Sequence, residues 1–232
     1  EQSFVTVGCM VPPGKSRPPP ALLSPVKGHP VMLLYDLDVS GNCYKIRLFA
    51  GLTGTKLDLV PVDLASGENH DPDFRKLNPF GEVPVLVDGD LILRDSQAIL
   101  VYLAGRLTDR SWWPEDAMSQ ATITQWLSVA SSEVRNGPNT ARLIRKFGSP
   151  LDMETAMRWT DKLLPLLNAH VETQDWFALR RPTIADCALF PYLALAPEGG
   201  ISLTPYPALM RWLDRVRDLP GFIPVPGLYG DC

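Results

Sequence analysis

The sequence predicts an α/β domain followed by an all-helical domain. Between residues 31 and 107, apolar runs and helical spacing follow the order strand, helix, strand, strand, strand, helix (βαβ–ββα). From residue 117 onward the strand patterns end and helical spacing continues. Strands and helices followed by helices alone indicate two units, which we place at 31–108 and 116–232.

The elements of the first unit follow from apolar periodicity and turn residues. An apolar run at 31–35 fits a buried strand. We predict the other elements at 42–52 (helix), 57–62 (strand), 73–77 (one helical turn), 84–87 and 91–93 (strands) and 95–107 (helix). Pro61 indicates an edge strand because proline cannot donate to the ladder. The Asp-Gly-Asp turn at 88–90 predicts a hairpin between the last two strands.

The first helix has an amphipathic pattern. Ile46, Phe49 and Ala50 share one face, so we expect this face to be buried, with Lys45 and Arg47 elsewhere.

The second unit shows helical spacing at 117–134, 151–173, 183–195 and 208–219, with a break at 135–139. Thr183 and Asp186 form an S/T-x-x-D pattern, which is close to a helix capping box. We interpret this pair as structural.

Composition excludes several classes of protein. The chain has 232 residues, 45% hydrophobic residues and a net charge of −4. These values exclude wholesale disorder and argue against a nucleic-acid or anionic-membrane binder.

The four cysteines lie at 9, 43, 187 and 232 without a CxxC pair, so we expect neither a disulfide framework nor a metal site. Free cysteines fit a reducing, cytoplasmic setting.

Residues 1–30 form a Pro-rich arm in this interpretation. They hold seven of the 23 prolines and carry a net charge of +2, so the rest of the chain carries −6. The segment has no core-forming period, and we expect an extended arm that packs along its own chain or a neighbouring subunit.

Three short motifs indicate a binding site. Ser40-Gly41-Asn42-Cys43 begins the first helix, where backbone N–H groups favour an anion. The first position of this motif is Ser40 and not a cysteine. An enzyme with its active site here would therefore activate a thiol supplied by a cofactor. Val83-Pro84 opens a strand and leaves the Val83 backbone available for a ligand. Asp95-Ser96 begins a helix, where the two side chains offer an N-cap or a site for an ammonium and a carboxylate.

These motifs resemble the glutathione S-transferase family. The matching stretches are SGNCYKIR at 40–47, NPFGEVPVL at 78–86 and RDSQAI at 94–99. The resemblance implies a thioredoxin-like domain followed by an all-helical domain, a homodimer, and glutathione as co-substrate without a metal. It also implies an apolar small-molecule electrophile as the second partner.

The same resemblance implies roles for individual residues. Ser40 lies where theta- and zeta-like members carry a catalytic serine, and Asn42 where bacterial nu-like members carry an asparagine. Both are candidates for the sulfur site, and we expect Ser40 to donate the hydrogen bond to the sulfur. Cys43 is more readily explained as a helix residue than as a nucleophile.

Further roles concern the rest of glutathione. Val83, preceding Pro84, would pair its backbone with the cysteinyl part. Asp95 and Ser96 would hold the γ-glutamyl end, and Asn69 and His70 the glycyl carboxylate; these four residues and the Val83–Pro84 pair form the expected binding set. Two alternatives stay open: a glutathione-dependent disulfide or peroxide reductase, and a non-catalytic binding protein with the same fold.

Overall fold

The computed structural model describes residues 32–107 and 109–224. The Pro-rich arm predicted at 1–30 therefore lies outside the described residues. The first half contains β1 (Leu33–Asp36), α1 (Gly41–Thr53), β2 (Asp58–Pro61), α2 (Pro72–Leu77), β3 (Val85–Asp88), β4 (Leu91–Leu93) and α3 (Ser96–Arg106). This is the predicted βαβ–ββα order, and the boundaries differ from the prediction by at most two residues.

The four strands form one mixed sheet in the order β2-β1-β3-β4. β1 pairs in parallel with β2 and antiparallel with β3, and β3 pairs antiparallel with β4. β2 lies at the sheet edge, as Pro61 predicts, since proline has no N–H for a second neighbour. The register places Tyr35 beside Val85, so the end of β1 lies next to the strand that follows Pro84.

α1 joins the sheet to the helical domain. Its N-cap is Ser40, and Gly54 ends it with φ 69°, a left-handed conformation that glycine adopts without steric cost. Ile46, Leu48 and Phe49 are fully buried. Lys45 is also buried, with 1% exposure, so the prediction that it lies away from the buried part of the helix is wrong.

The second half is helical throughout its regular elements. They are α4 (Ala117–Ser131), a π-helical segment (Arg135–Asn139), α5 (Thr140–Phe147), α6 (Met153–Thr173), α7 (Ile184–Ala194) and α8 (Pro207–Arg217). The sequence analysis missed α5, and the expected break at 135–139 is instead a wide helical turn that contains Pro138. Among the described helices, none has the length and apolarity needed to cross a membrane.

The capping box predicted at the start of α7 is present. Thr183 is the N-cap, and the Asp186 side chain accepts a hydrogen bond from the Thr183 backbone N–H at 2.9 Å. Asp186 also accepts from the Phe177 backbone N–H and from the Trp212 indole N–H, at 3.2 and 3.0 Å. The pair therefore ties α7 to α8 in the core, which confirms the structural interpretation.

Candidate glutathione site

The N-terminus of α1 forms one end of the candidate site. Ser40 Oγ accepts a hydrogen bond from the Cys43 backbone N–H at 3.3 Å, and the Gly41 N–H has no partner among the described residues. Glycine is needed at position 41, because a Cβ there would lie 2.5 Å from the ring of Tyr192 on α7. The helical domain therefore packs directly against the start of α1.

A buried arginine of the helical domain holds the loop that leads into α1. Arg142 on α5 is 3% exposed in its side chain and donates to the Val39 carbonyl oxygen at 3.0 Å. Its Nε pairs with Glu198 at 2.5 Å. The sequence analysis missed Arg142 because α5 itself was missed.

Cys43 has no exposed surface and points into the first domain's core. Burial raises the pKa of its thiol to about 12, with the hydrogen bond from Ser40 acting in the opposite direction. The thiol therefore stays protonated near neutral pH, where only a thiolate is an effective nucleophile. This supports the expectation that Cys43 is a helix residue and no nucleophile.

The segment before β3 offers unpaired backbone groups. The peptide bond between Val83 and Pro84 is cis, and Asn78 Nδ2 donates to the Glu82 carbonyl oxygen at 2.7 Å. Val83 is 8% exposed, and its N–H and C=O have no hydrogen-bond partner among the described residues. Because buried backbone polar groups are nearly always paired, these two groups suit a peptide-like ligand.

The N-terminus of α3 forms the other end of the site. Asp95 is the N-cap, and its Oδ1 accepts from the backbone N–H groups of Gln97 and Ala98 at 3.0 and 2.9 Å. Its Oδ2 takes no hydrogen bond from the described residues, and the Ser96 N–H is also unpaired. The Ser96 hydroxyl donates to Gln97 Oε1 at 2.5 Å.

One open cleft brings most of these groups together. Its walls come from both halves of the chain. The lining residues are Asn42, Lys45, Glu82, Val83, Pro84, Arg94, Asp95, Ser96, Gln97, Ala130, Ser131, Arg135, Asn139 and Tyr192. Five of the predicted site residues are in this set, while Ser40, Asn69 and His70 are not.

Asn69 and His70 lie on a short 3-10 turn, Glu68–His70, beside the cleft-lining loop. Asn69 Nδ2 donates to the Gly81 carbonyl oxygen at 2.9 Å, while its Oδ1 is buried and receives no hydrogen bond from residues that the structure describes. His70 is exposed, and its Nδ1 lies 2.9 Å from a guanidinium nitrogen of Arg75. The structure thus gives Asn69 a role in holding the loop.

Lys45 is a cleft residue that the sequence analysis did not identify. It follows Asn42 by three residues, so the two share a face of α1. Its Nζ lies 5.4 Å from the centre of the Tyr192 ring. Burial lowers the pKa of Lys45 to about 7, opposed by Asp95 and reinforced by Arg135. Burial likewise raises the pKa of Tyr192.

Comparison with known proteins identifies the family. The glutathione S-transferase N-terminal domain matches residues 30–105, and the glutathione S-transferase C-terminal domain matches residues 143–220. The chain belongs to the glutathione S-transferase family.

Individual relatives agree with this assignment. Glutathione S-transferase 2 of Anopheles gambiae is 33% identical over 192 residues, which cover 81% of this chain and 91% of that protein. The crystal structure of a possible glutathione S-transferase from Rhodopseudomonas palustris superposes with a TM-score of 0.76 at 33% identity, over 84% of this chain and 97% of the other. A glutathione transferase homologue from Drosophila mojavensis, with bound glutathione, has a TM-score of 0.75 at 26% identity, over 83% and 90% of the two chains.

These findings confirm the resemblance drawn from the sequence and the fold class it implied. The relatives and structural neighbours are glutathione S-transferases, so the chain is a glutathione transferase. Glutathione is the co-substrate that this family uses.

Proposed function

We propose that this transferase binds glutathione along the cleft, ionises its thiol at the N-terminus of α1, and adds the sulfur to an electrophile. The observation that carries the proposal is the convergence of three kinds of unpaired group in one cleft. They are the Asn42 side chain, the Val83 backbone, and the α3 N-terminus with Asp95 Oδ2 and the Ser96 N–H.

The γ-glutamyl end of glutathione fits the start of α3. Its carboxylate would accept from the Ser96 N–H, at a helix end that favours negative charge. Its ammonium would donate to Asp95 Oδ2, which the N-cap bonds leave unused. Asp95 therefore has one oxygen for the helix and one for the ligand.

The middle of the tripeptide fits the Val83 backbone. An extended peptide carries one N–H and one C=O per residue, and the cysteinyl residue would exchange both with Val83. Pro84 lies between Val83 and the first residue of β3, and it lines the cleft next to Val83. This pairing would direct the cysteinyl side chain towards α1.

The sulfur would lie at the N-terminus of α1, where a hydrogen bond to the thiolate lowers its pKa. Asn42 lines the cleft, and its side-chain amide has no partner among the described residues. The Ser40 side chain is already engaged with Cys43, through the N-cap bond and the thiol. We therefore propose Asn42 as the main donor to the sulfur, with Ser40 contributing less.

The glycyl carboxylate completes the proposed binding mode. We propose that Asn69 and His70 lie beside this carboxylate. The Arg75 guanidinium next to His70 supplies a positive charge at the same turn. The unpaired acceptor Asn69 Oδ1 does not suit a carboxylate, so the His70 side of the turn is the better contact.

The chemical step is a nucleophilic addition or substitution. The thiolate lone pair forms the carbon–sulfur bond, while the leaving group departs with its bonding electrons or a double bond of the electrophile opens. The proposed electrophile is an apolar small molecule, and its site is the mouth of the cleft between the two halves of the chain.

A second reaction is favoured by the polarity of the cleft wall in the helical domain. Ser131, Arg135 and Asn139 line this wall, and Asn139 Oδ1 is buried without a hydrogen-bond partner in the described part of the chain. Such a wall fits a polar disulfide. The thiolate would displace one sulfur to give a mixed disulfide, and a second glutathione would release the other thiol and leave oxidised glutathione.

Parallel assays separate these functions. Titration calorimetry with glutathione measures binding. Turnover is followed with chlorodinitrobenzene, a peroxide and a small polar disulfide. The proposal expects binding and conjugation; turnover of the disulfide alone would select the reductase. Binding without any turnover would indicate a non-catalytic binding protein, and absence of binding would contradict the proposal.

We also propose a cytoplasmic homodimer. Cys43 and Cys187 are free and buried, which fits a reducing compartment. Light scattering on the purified protein tests the dimer, which requires twice the chain mass of 25.7 kDa; the chain mass alone would contradict it.

A further inference from the structure

Lys45 is a buried charge that lines the cleft. Its side chain is fully enclosed apart from 1% of its surface, and the described residues give it no ion pair and no hydrogen bond. A buried ammonium is normally paired, since removing it from water costs several kcal/mol. Among the described residues, the ammonium has only the face of the Tyr192 ring, 5.4 Å from Nζ to the ring centre, and the charge of Asp95. An anionic group of a ligand is therefore its natural partner.

The position of Lys45 directs it to the sulfur end of the cleft. Lysine side chains on a helix lean towards its N-terminus, and Asn42 lies one turn before Lys45 in that direction. Nζ is close to the ring of Tyr192, the same ring that packs against Gly41. The ammonium is therefore on the side of the cleft where the thiol is proposed to bind.

The charged and titratable groups around Lys45 come from four elements. Glu82 lies on the loop before β3, Arg94 and Asp95 precede α3, Arg135 is on the π-helical segment, and Tyr192 is on α7. The negative charge of Asp95 raises the pKa of Lys45, but Asp95 is exposed and does not form an ion pair with Lys45. These surroundings leave Lys45 with both a protonated and a neutral form near pH 7.

We propose that the Lys45 amine takes the proton of the glutathione thiol and then stays beside the thiolate as its counter-ion. The S–H bond breaks with its electron pair remaining on sulfur, and the Lys45 lone pair forms the new N–H bond. The proton stays in the site and is not released to solvent. This inference rests on the proposed function and names a further residue for the same reaction.

The first test measures the pKa of the bound thiol from the ultraviolet absorbance of the thiolate. Lys45→Met removes the charge at similar length, and we expect it to raise the bound-thiol pKa by about 1–3 units. Lys45→Arg keeps a positive charge and should hold that pKa within about half a unit of the wild type. Lys162→Met, at an exposed lysine on α6, is the matched control and should cause no change. An unchanged pKa in Lys45→Met would overturn the proposal.

The second test counts protons released when glutathione binds, with a pH indicator in weak buffer at about pH 8. The wild type should release almost none, because Lys45 accepts the thiol proton. Lys45→Arg cannot accept a proton and should release close to one per site. Equal release from the two proteins would overturn the proposal, and this comparison decides even where Lys45→Met fails to fold.

S-Methylglutathione distinguishes the thiolate from the carboxylates of the ligand. It keeps both carboxylates and has no ionisable sulfur, so its affinity should differ by less than about threefold between wild type and Lys45→Met. A loss as large as that for glutathione would assign Lys45 to a carboxylate and overturn the thiolate role. Absence of wild-type binding to either ligand would instead refute the proposed function.

Discussion

Asp95 and Asp186 both lie at helix N-termini, yet their surroundings differ. Asp95 is exposed at the start of α3 and uses one oxygen for two backbone N–H groups. Asp186 is 1% exposed at the start of α7 and accepts from two backbone N–H groups and the Trp212 indole. Only Asp95 has a carboxylate oxygen without a partner, so the same kind of helix start stabilises the core in one place and offers a ligand site in the other.

Removal of Asp186 should have the largest effect on stability. Asp186→Ala leaves buried donors on Thr183, Phe177 and Trp212 without an acceptor, and each such donor costs about 1–3 kcal/mol. We expect the free energy of unfolding to fall by at least about 3 kcal/mol in urea denaturation. A loss below about 1 kcal/mol would show that water or a shifted side chain replaces the carboxylate.

Removal of the sulfur donor should have the largest effect on activity. Asn42→Ala should lower kcat/KM about 10–100-fold, the value of a hydrogen bond to a charged group. Ser40→Ala should lower it less, because Ser40 is engaged with Cys43, and should also cost about 1 kcal/mol of stability as a lost N-cap. Steady-state kinetics on both variants test the order; a stronger effect of Ser40→Ala would restore serine as the main donor.

Substitutions at Asp95 should separate its two roles. Asp95→Asn keeps a good N-cap and removes the negative charge, so the melting temperature should stay near the wild type while glutathione affinity falls about tenfold. Asp95→Ala should lose both the N-cap and the negative charge. Its glutathione affinity should fall, and its free energy of unfolding should be lower by about 1 kcal/mol. Calorimetry and thermal unfolding provide the two readouts. Full affinity in Asp95→Asn would remove the carboxylate from the site.

Lys45 extends the comparison to a buried charge, and we expect its effect on the free protein to appear as a dependence of stability on pH. A lowered pKa means that the folded state binds fewer protons than the unfolded state between about pH 7 and about pH 10, so stability from this group rises with pH in that window. Lys45→Met should therefore be more stable than the wild type near pH 6 and lose that advantage towards pH 9. An advantage that grows with pH would contradict this.

The sequence predicted the sheet, its edge strand and most helices, because apolar periodicity and proline act locally. It also predicted that Thr183 and Asp186 form a cap, since S/T-x-x-D is a short-range pattern. The two ends of the cleft were found through motifs, with functional roles supplied by the family resemblance.

Other features depended on contacts distant in the chain. Lys45 looks like a surface residue in the sequence, yet it is buried and lies beside the ring of Tyr192 on α7, far along the chain. Arg142 reaches Val39, 103 residues away, from a helix with strong polar character. Neither contact leaves a periodic pattern that a single sequence reveals.

The most direct test of the proposed binding mode is a crystal structure of the protein with glutathione bound. We expect the γ-glutamyl ammonium on Asp95 Oδ2, the cysteinyl residue paired with the Val83 backbone, and the sulfur within hydrogen-bond distance of the Asn42 side chain. Glutathione bound elsewhere, or in the cleft with its sulfur directed away from the N-terminus of α1, would contradict it.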